Sequence, residues 1–252
     1  MKKNSAKHVT LGVLFGIGLL VIVVWLLTLT LGNTPQYLYA GKPMQYWQEQ
    51  LSSHDTGASN QAFAVVNSRM IPQLTDTMFH DTNDSSLRLF LIETLNGLPG
   101  VQIYFTEAGG RRANAARTIG ELGPVAKPAV PVLVQALKAQ DTMVHEAAIS
   151  ALGRIHSDPD VVIPLLIGYL EDDNLNDEAA LALANYGSLA KAAVPKIIPL
   201  LHAQDKDAQA AAKDALKKTD PEAYMSATKP DQGTATNGPP VRIGAEGPVG
   251  SK

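Results

Sequence analysis

A chain of 252 residues that is 45% hydrophobic and 18% charged has ordinary globular composition, which excludes disorder throughout. The lack of cysteine excludes a disulfide scaffold, thiolate zinc sites, a cysteine nucleophile and a lipidated bacterial amino terminus. From Thr34 onward 18 basic residues stand against 24 acidic ones, which excludes the clustered cations of a nucleic-acid groove. The adjacent pairs Arg111-Arg112 and Lys217-Lys218 are expected on a solvated face.

In chain order, residues 1–8 carry Lys2, Lys3 and Lys7, and residues 9–31 follow without a charge. A helix of that length spans about 34 Å against about 30 Å of hydrocarbon, so 9–31 is predicted to be a transmembrane helix. The flanking lysines predict a cytoplasmic amino terminus by the positive-inside rule, with the rest extracytoplasmic, periplasmic in a Gram-negative cell. A cleaved signal peptide would export the chain equally, but its apolar core is normally shorter. Residues 32–59 form a juxtamembrane linker and a capping helix, with Met44, Trp47 and Leu51 on one face. Trp47 is expected to pack, whereas Tyr37 and Tyr39 are expected at the membrane interface.

Self-similarity is the strongest signal. Gly123-Pro-Val-Ala-Lys127-Pro-Ala-Val-Pro131 recurs as Gly187-Ser-Leu-Ala-Lys191-Ala-Ala-Val-Pro195, with six of nine positions identical, and Val162-Ile163-Pro164 marks the copy between. Ahead of these prolines run three registers: Ala115, Ala148, Ala179, Ala212; then Ile119, Leu152, Leu183, Leu216; then Leu122, Ile155, Tyr186. Offsets of four and seven put them on one buried helical stripe. After each proline a second helix carries Val130, Leu133, Val134, Leu137, then Ile163, Leu166, Ile167, Leu170, then Val194, Ile197, Ile198, Leu201. The prolines are predicted to open second helices, and Gly123 and Gly187 to end first ones in the left-handed conformation. Asp141, Asp173 and Asp205 are predicted caps of the next helix. Three good repeats are expected over 111–225, with a terminal helix at about Gln209–Lys218, and degenerate repeats over 60–110. There Ile71-Pro72 opens a helix, Leu87 to Leu98 forms the next, and Pro99 to Gly110 is a loop. The tail, 226–252, has five Gly and four Pro and is expected to be disordered.

A period of 31 to 33 residues, with Ala148-Ile-Ser-Ala-Leu-Gly153 in the first helix and Ala-Val-Pro opening the second, resembles the short bacterial HEAT-like repeat, including the PBS-lyase HEAT-like type, as found in bacterial membrane-anchored HEAT-repeat proteins. The resemblance implies an all-α, right-handed α-solenoid of helix pairs. Many such repeats carry an Arg near the start of the first helix, whereas His145 and Gln209 stand there, so an Asp/Arg ladder is not expected.

No catalytic or metal motif is legible. The six histidines show no i+3 or i+4 pairing, and Asp172-Asp173-Asn174-Leu175-Asn176-Asp177 lacks the Gly and Glu of a calcium loop. Catalytic, cofactor-binding and metal residues are therefore expected to be none. What varies between copies is surface. By the resemblance, second helices line a concave face, making Gln135, Lys138, Tyr169, Glu171, Lys196 and His202 candidate contacts for a protein or peptide. The expected function is a non-catalytic, membrane-tethered scaffold or adaptor. Alternatives are a bilin-lyase-like or chaperone activity on a tetrapyrrole-type cofactor, suggested only by the name of the repeat type, or a structural envelope spacer.

Overall fold

The computed structural model describes residues 38–82, 84–139 and 141–229. The predicted transmembrane segment 9–31, Tyr37 and nearly all of the tail lie outside them. Among the described residues no helix is long and apolar enough to cross a membrane.

The described chain opens with a hairpin, β1 Leu38–Tyr39 paired antiparallel with β2 Lys42–Pro43. Ala40 and Gly41 both take positive φ in its two-residue turn, the twist such a short connection needs. Helix α1 (Met44–Leu51) follows directly. Trp47 is buried, and its indole N–H donates to the Tyr39 carbonyl at 2.7 Å, which folds the hairpin onto α1. Met44 and Leu51 pack beside it, as expected of a cap. Tyr39 corrects the interface expectation: at 3% exposure it belongs to the core, because the hairpin turns its ring inward with Trp47.

Helices α2 (Thr56–Val65) and α3 (Ile71–His80) join through a π-helical turn, Val66–Met70, with helical dihedrals at each junction. Pro72 thus stands in the first turn of α3, as expected, although the chain enters that helix from the π-helical turn without a break. It has no N–H to give and its ring crowds the preceding turn, a local defect that a widened turn accommodates.

The repeats follow. First helices are α5 (Ala108–Glu121), α7 (Thr142–Ile155), α9 (Asn176–Tyr186) and α11 (Lys206–Thr219). Second helices are α6 (Val130–Ala136), α8 (Pro159–Tyr169) and the short α10 (Val194–Ile197), which continues as a 3-10 turn to His202. A last helix, α12 (Pro221–Thr228), closes the described chain. All eleven residues of the three first-helix registers are buried, and in each second helix the third residue of the quartet, Val134, Ile167 or Ile198, is half-buried while the other three are buried. Small residues set the spacing: a Cβ on Gly120 would stand 2.7 Å from the Ala151 Cα, and one on Gly153 would stand 2.7 Å from the Ala182 Cα.

Gly123 and Gly187 take φ of +60° and +54° where first helices end, as expected. Two punctuation marks fall elsewhere. Helix α8 begins at Pro159, which leaves Pro164 inside it, because His156 and Asp158 both adopt left-handed backbone and turn the chain five residues early. Asp173 caps nothing. Its neighbour Asp172 accepts the Asn174 N–H on its carboxylate and the Leu175 and Asn176 N–H groups on its carbonyl, delaying α9 to Asn176. Asp141 and Asp205 do cap, accepting from Met143 and Asp207 at 3.1 Å each.

Between α3 and α5 the chain makes an excursion. Helix α4 (Ser86–Asn96) and the loop to Glu107 bury only their own cluster of Ile92, Leu95 and Ile103, with Val101 and Phe105 against it. The helix and loop match expectation, but they form no degenerate repeat. Instead α3 packs directly on α5, as each second helix packs on the next first helix, and 82–107 is an insertion in that turn.

Candidate interaction surface

The turns on either side of α5 are tied by arginine. The Arg111 guanidinium donates through Nε to Asp81 at 2.7 Å, and through Nη1 to Asp84 at 3.1 Å and the Thr106 carbonyl at 2.7 Å. Arg112 donates to the Asp81 carbonyl at 2.7 Å and to the Asp141 carboxylate at 2.6 Å. The two arginine side chains are 16% and 23% exposed, so the basic pair is not a solvated face. The hydrogen bond to Asp81 is the main reason the Arg111 pKa is raised. Burial works to raise the Asp141 carboxyl, but the Arg112 bond and two backbone N–H donors outweigh it and hold the group below its ordinary range. One Asp/Arg rung therefore exists after all. Its continuation stops where His145 takes the Arg112 position, 33 residues on. There Nε2 is buried without a hydrogen-bond partner and the ring lies 6.5 Å from that of Tyr169.

A second set of ties repeats with the motif. Lys127 reaches Asp158 at 3.2 Å and Lys191 reaches Asp220 at 3.1 Å. The recurring lysine in Gly-x-x-Ala-Lys was visible in the sequence, and its partners lie 31 and 29 residues downstream. Tyr186 ties adjoining turns by donating to the Ser157 carbonyl at 2.8 Å, and burial pushes its hydroxyl up to about 12.

The six candidate contacts lie along the second helices and the turns after them. Tyr169, half-buried, donates to the Leu137 carbonyl at 3.1 Å and so bridges α8 to the end of α6, next to exposed Lys138. Burial, and secondarily Asp172, raises its hydroxyl. Glu171 meets Lys196 at 2.7 Å across successive repeats, and that bond lowers its carboxyl pKa. Gln135 and His202 are exposed. The six residues are thus spread over three successive repeats: Tyr169 and the Glu171–Lys196 pair join neighbouring repeats, and Gln135, Lys138 and His202 are exposed. Among the described residues no three His, Cys, Asp or Glu gather as a metal would require.

At the other end of the stack the hairpin, α1, α3 and α5 enclose a cleft of about 340 Å³ that the sequence did not reveal. Tyr39, Met44, Thr77, Thr106, Arg111 and Thr118 are among its lining. Its walls come from segments far apart in sequence, from Tyr39 to Glu121, so no local pattern could mark it.

A protein-family profile described as HEAT repeats matches residues 110–184, the stretch from α5 to the end of α9. No curated protein matches. Among solved structures the chain is similar to one in the complex of CpcE and CpcF of phycocyanin lyase from Nostoc sp. PCC7120, with TM-score 0.48 and 22% identity over 77% of this chain and 70% of that chain.

Proposed function

We propose that this protein is a membrane-tethered repeat scaffold that binds a protein or peptide along its second-helix strip, on the extracytoplasmic side. The supporting observation is the strip itself. Buried positions repeat from copy to copy, while the outward ends of the second helices change at Gln135, Lys138, Glu171 and His202 although the fold does not require it. A rigid, extended surface of that kind suits recognition of an elongated partner. The anchor reading rests on the uncharged segment 9–31 behind three lysines.

Photo-crosslinking amino acids placed at Gln135, Lys138 and His202 in intact cells are expected to capture one common protein, absent when the probe stands at Asp214 on α11. Equal capture from all four positions would sink the strip. Extraction of the full chain by alkaline carbonate, or failure of a phosphatase fused after Lys229 to become active outside the cytoplasm, would sink the anchor.

A further inference from the structure

Eight of the thirteen large apolar side chains that stand exposed among the described residues lie before Phe105, and five of those are on the insertion. Leu87 is 67% exposed, Phe90 62% and Tyr104 75%, with Leu89 and Leu98 less so. Scattered exposed apolar residues need no explanation, but five within eighteen residues is a concentration that does. Leu87 and Phe90, three apart on α4, share a face. Packing does not require them, since the cluster beneath is made by Ile92, Leu95 and Ile103.

The loop end of the insertion stands beside the point where the chain enters the fold. Tyr39 and Pro43 of the hairpin and Thr106 of the insertion loop line one cleft, and Tyr104 is two residues from Thr106. Leu38, the first described residue, is itself 56% exposed. The uncharged segment ends at Leu31, so seven peptide steps separate it from Leu38, at most about 25 Å of extended chain. Any membrane holding 9–31 is therefore within about 25 Å of Leu38 and of the cleft beside it.

We propose that the apolar face of the insertion, Leu87, Phe90, Leu98 and Tyr104, seats in the headgroup and upper acyl region of the same bilayer that holds residues 9–31, orienting the repeat stack on the membrane. This rests on the anchor reading above. The side chains suit the site: aliphatic groups and a phenylalanine for the acyl boundary, and a tyrosine whose hydroxyl stays with the headgroups. With Arg88 against Asp84, Glu93 and Glu107 the insertion is net acidic, so apolar burial and not attraction to anionic lipid holds it.

The native chain has no cysteine, which permits single labels. The full chain is reconstituted in phosphatidylcholine vesicles with an environment-sensitive fluorophore at Phe90→Cys, Tyr104→Cys, Val21→Cys or Leu189→Cys, the last an exposed residue in the turn before α10. Lipid carrying a nitroxide near the headgroup end of its chain is expected to quench the Phe90→Cys and Tyr104→Cys labels at least about twofold more than the Leu189→Cys label. Quenching at Val21→Cys by lipid carrying the nitroxide near the methyl end of its chain, with Phe90→Cys and Tyr104→Cys quenched by the headgroup-end nitroxide no more than Leu189→Cys, would overturn this proposal and leave the anchor standing. No quenching at Val21→Cys by the methyl-end nitroxide would overturn both. Disulfide dimers through Phe90→Cys without added quenching there would assign the face to a second copy instead.

Discussion

The stack from α5 to α11 and the insertion at 82–107 are built from similar apolar residues and end in opposite states. In the stack each first helix packs on the next, and Ile119, Leu152, Leu183 and Leu216 are all fully buried. In the insertion α4 has no counterpart, and Leu87 and Phe90 are left uncovered by the chain beside a cluster of only three buried residues. Hydrophobicity alone does not decide which helices acquire a core; a neighbouring helix to pack against does.

The sharpest way to break this comparison is to truncate one residue in each region. Leu152→Ala is expected to lose about 2–5 kcal/mol in urea unfolding, and Phe90→Ala less than about 0.5 kcal/mol. Comparable losses would show that the insertion is part of the core, and hydrogen exchange should separate the two regions in the same sense, α4 amides exchanging well before those of α7. Arg111→Ala removes the ties that hold both ends of the insertion to the stack and leaves Asp81 and Asp84 without its charge. The expected loss is about 2–3 kcal/mol. Proteolysis should then cut preferentially between Thr82 and Glu107, and uniform cutting would argue that Arg111 does not hold the insertion in place.

Gly153→Ala gains helix propensity but drives a methyl group into the Ala182 backbone, for a net loss of about 1–2 kcal/mol. A stabilised variant would mean that the close approach is slack. Tyr186→Phe should cost about 1 kcal/mol through loss of the bond to Ser157, measured by the urea midpoint.

The smallest effect is with pH. The Asp141 carboxyl is held below its unfolded value of about 3.9, so its contribution is complete above roughly pH 4 and is lost as pH falls through the folded value. Acidification from pH 7 to pH 3 should therefore cost the native chain more stability than it costs Asp141→Asn. Parallel losses would remove the Arg112–Asp141 rung from the account.

Much of the stack was legible because repetition averages out local ambiguity. Three copies of one pattern located both stripes, the small positions and the glycine turns. Where a copy departed from the pattern the reading slipped. His156 and Asp158 turned the chain early and stranded Pro164, and the Asp172 turn displaced the cap expected at Asp173. The stretch 60–110 resembled one or two eroded repeats, and nothing local distinguishes an eroded repeat from an insertion of similar length. Of the candidate strip, its residues were legible but not its internal bonds. Tyr169 to Leu137 and Glu171 to Lys196 join residues 32 and 25 positions apart.

By itself the sequence determined the helix-turn-helix period, the buried registers, the absence of cysteine chemistry and an uncharged segment long enough for a bilayer, all properties of spacing and composition along one dimension. Only the tertiary structure decided that α3 meets α5 across a 26-residue excursion, that Arg111 and Arg112 turn inward to three aspartates, and that Tyr39 is core. Those outcomes depend on which distant segments become neighbours, and contact energy between remote residues leaves no periodic trace in the chain.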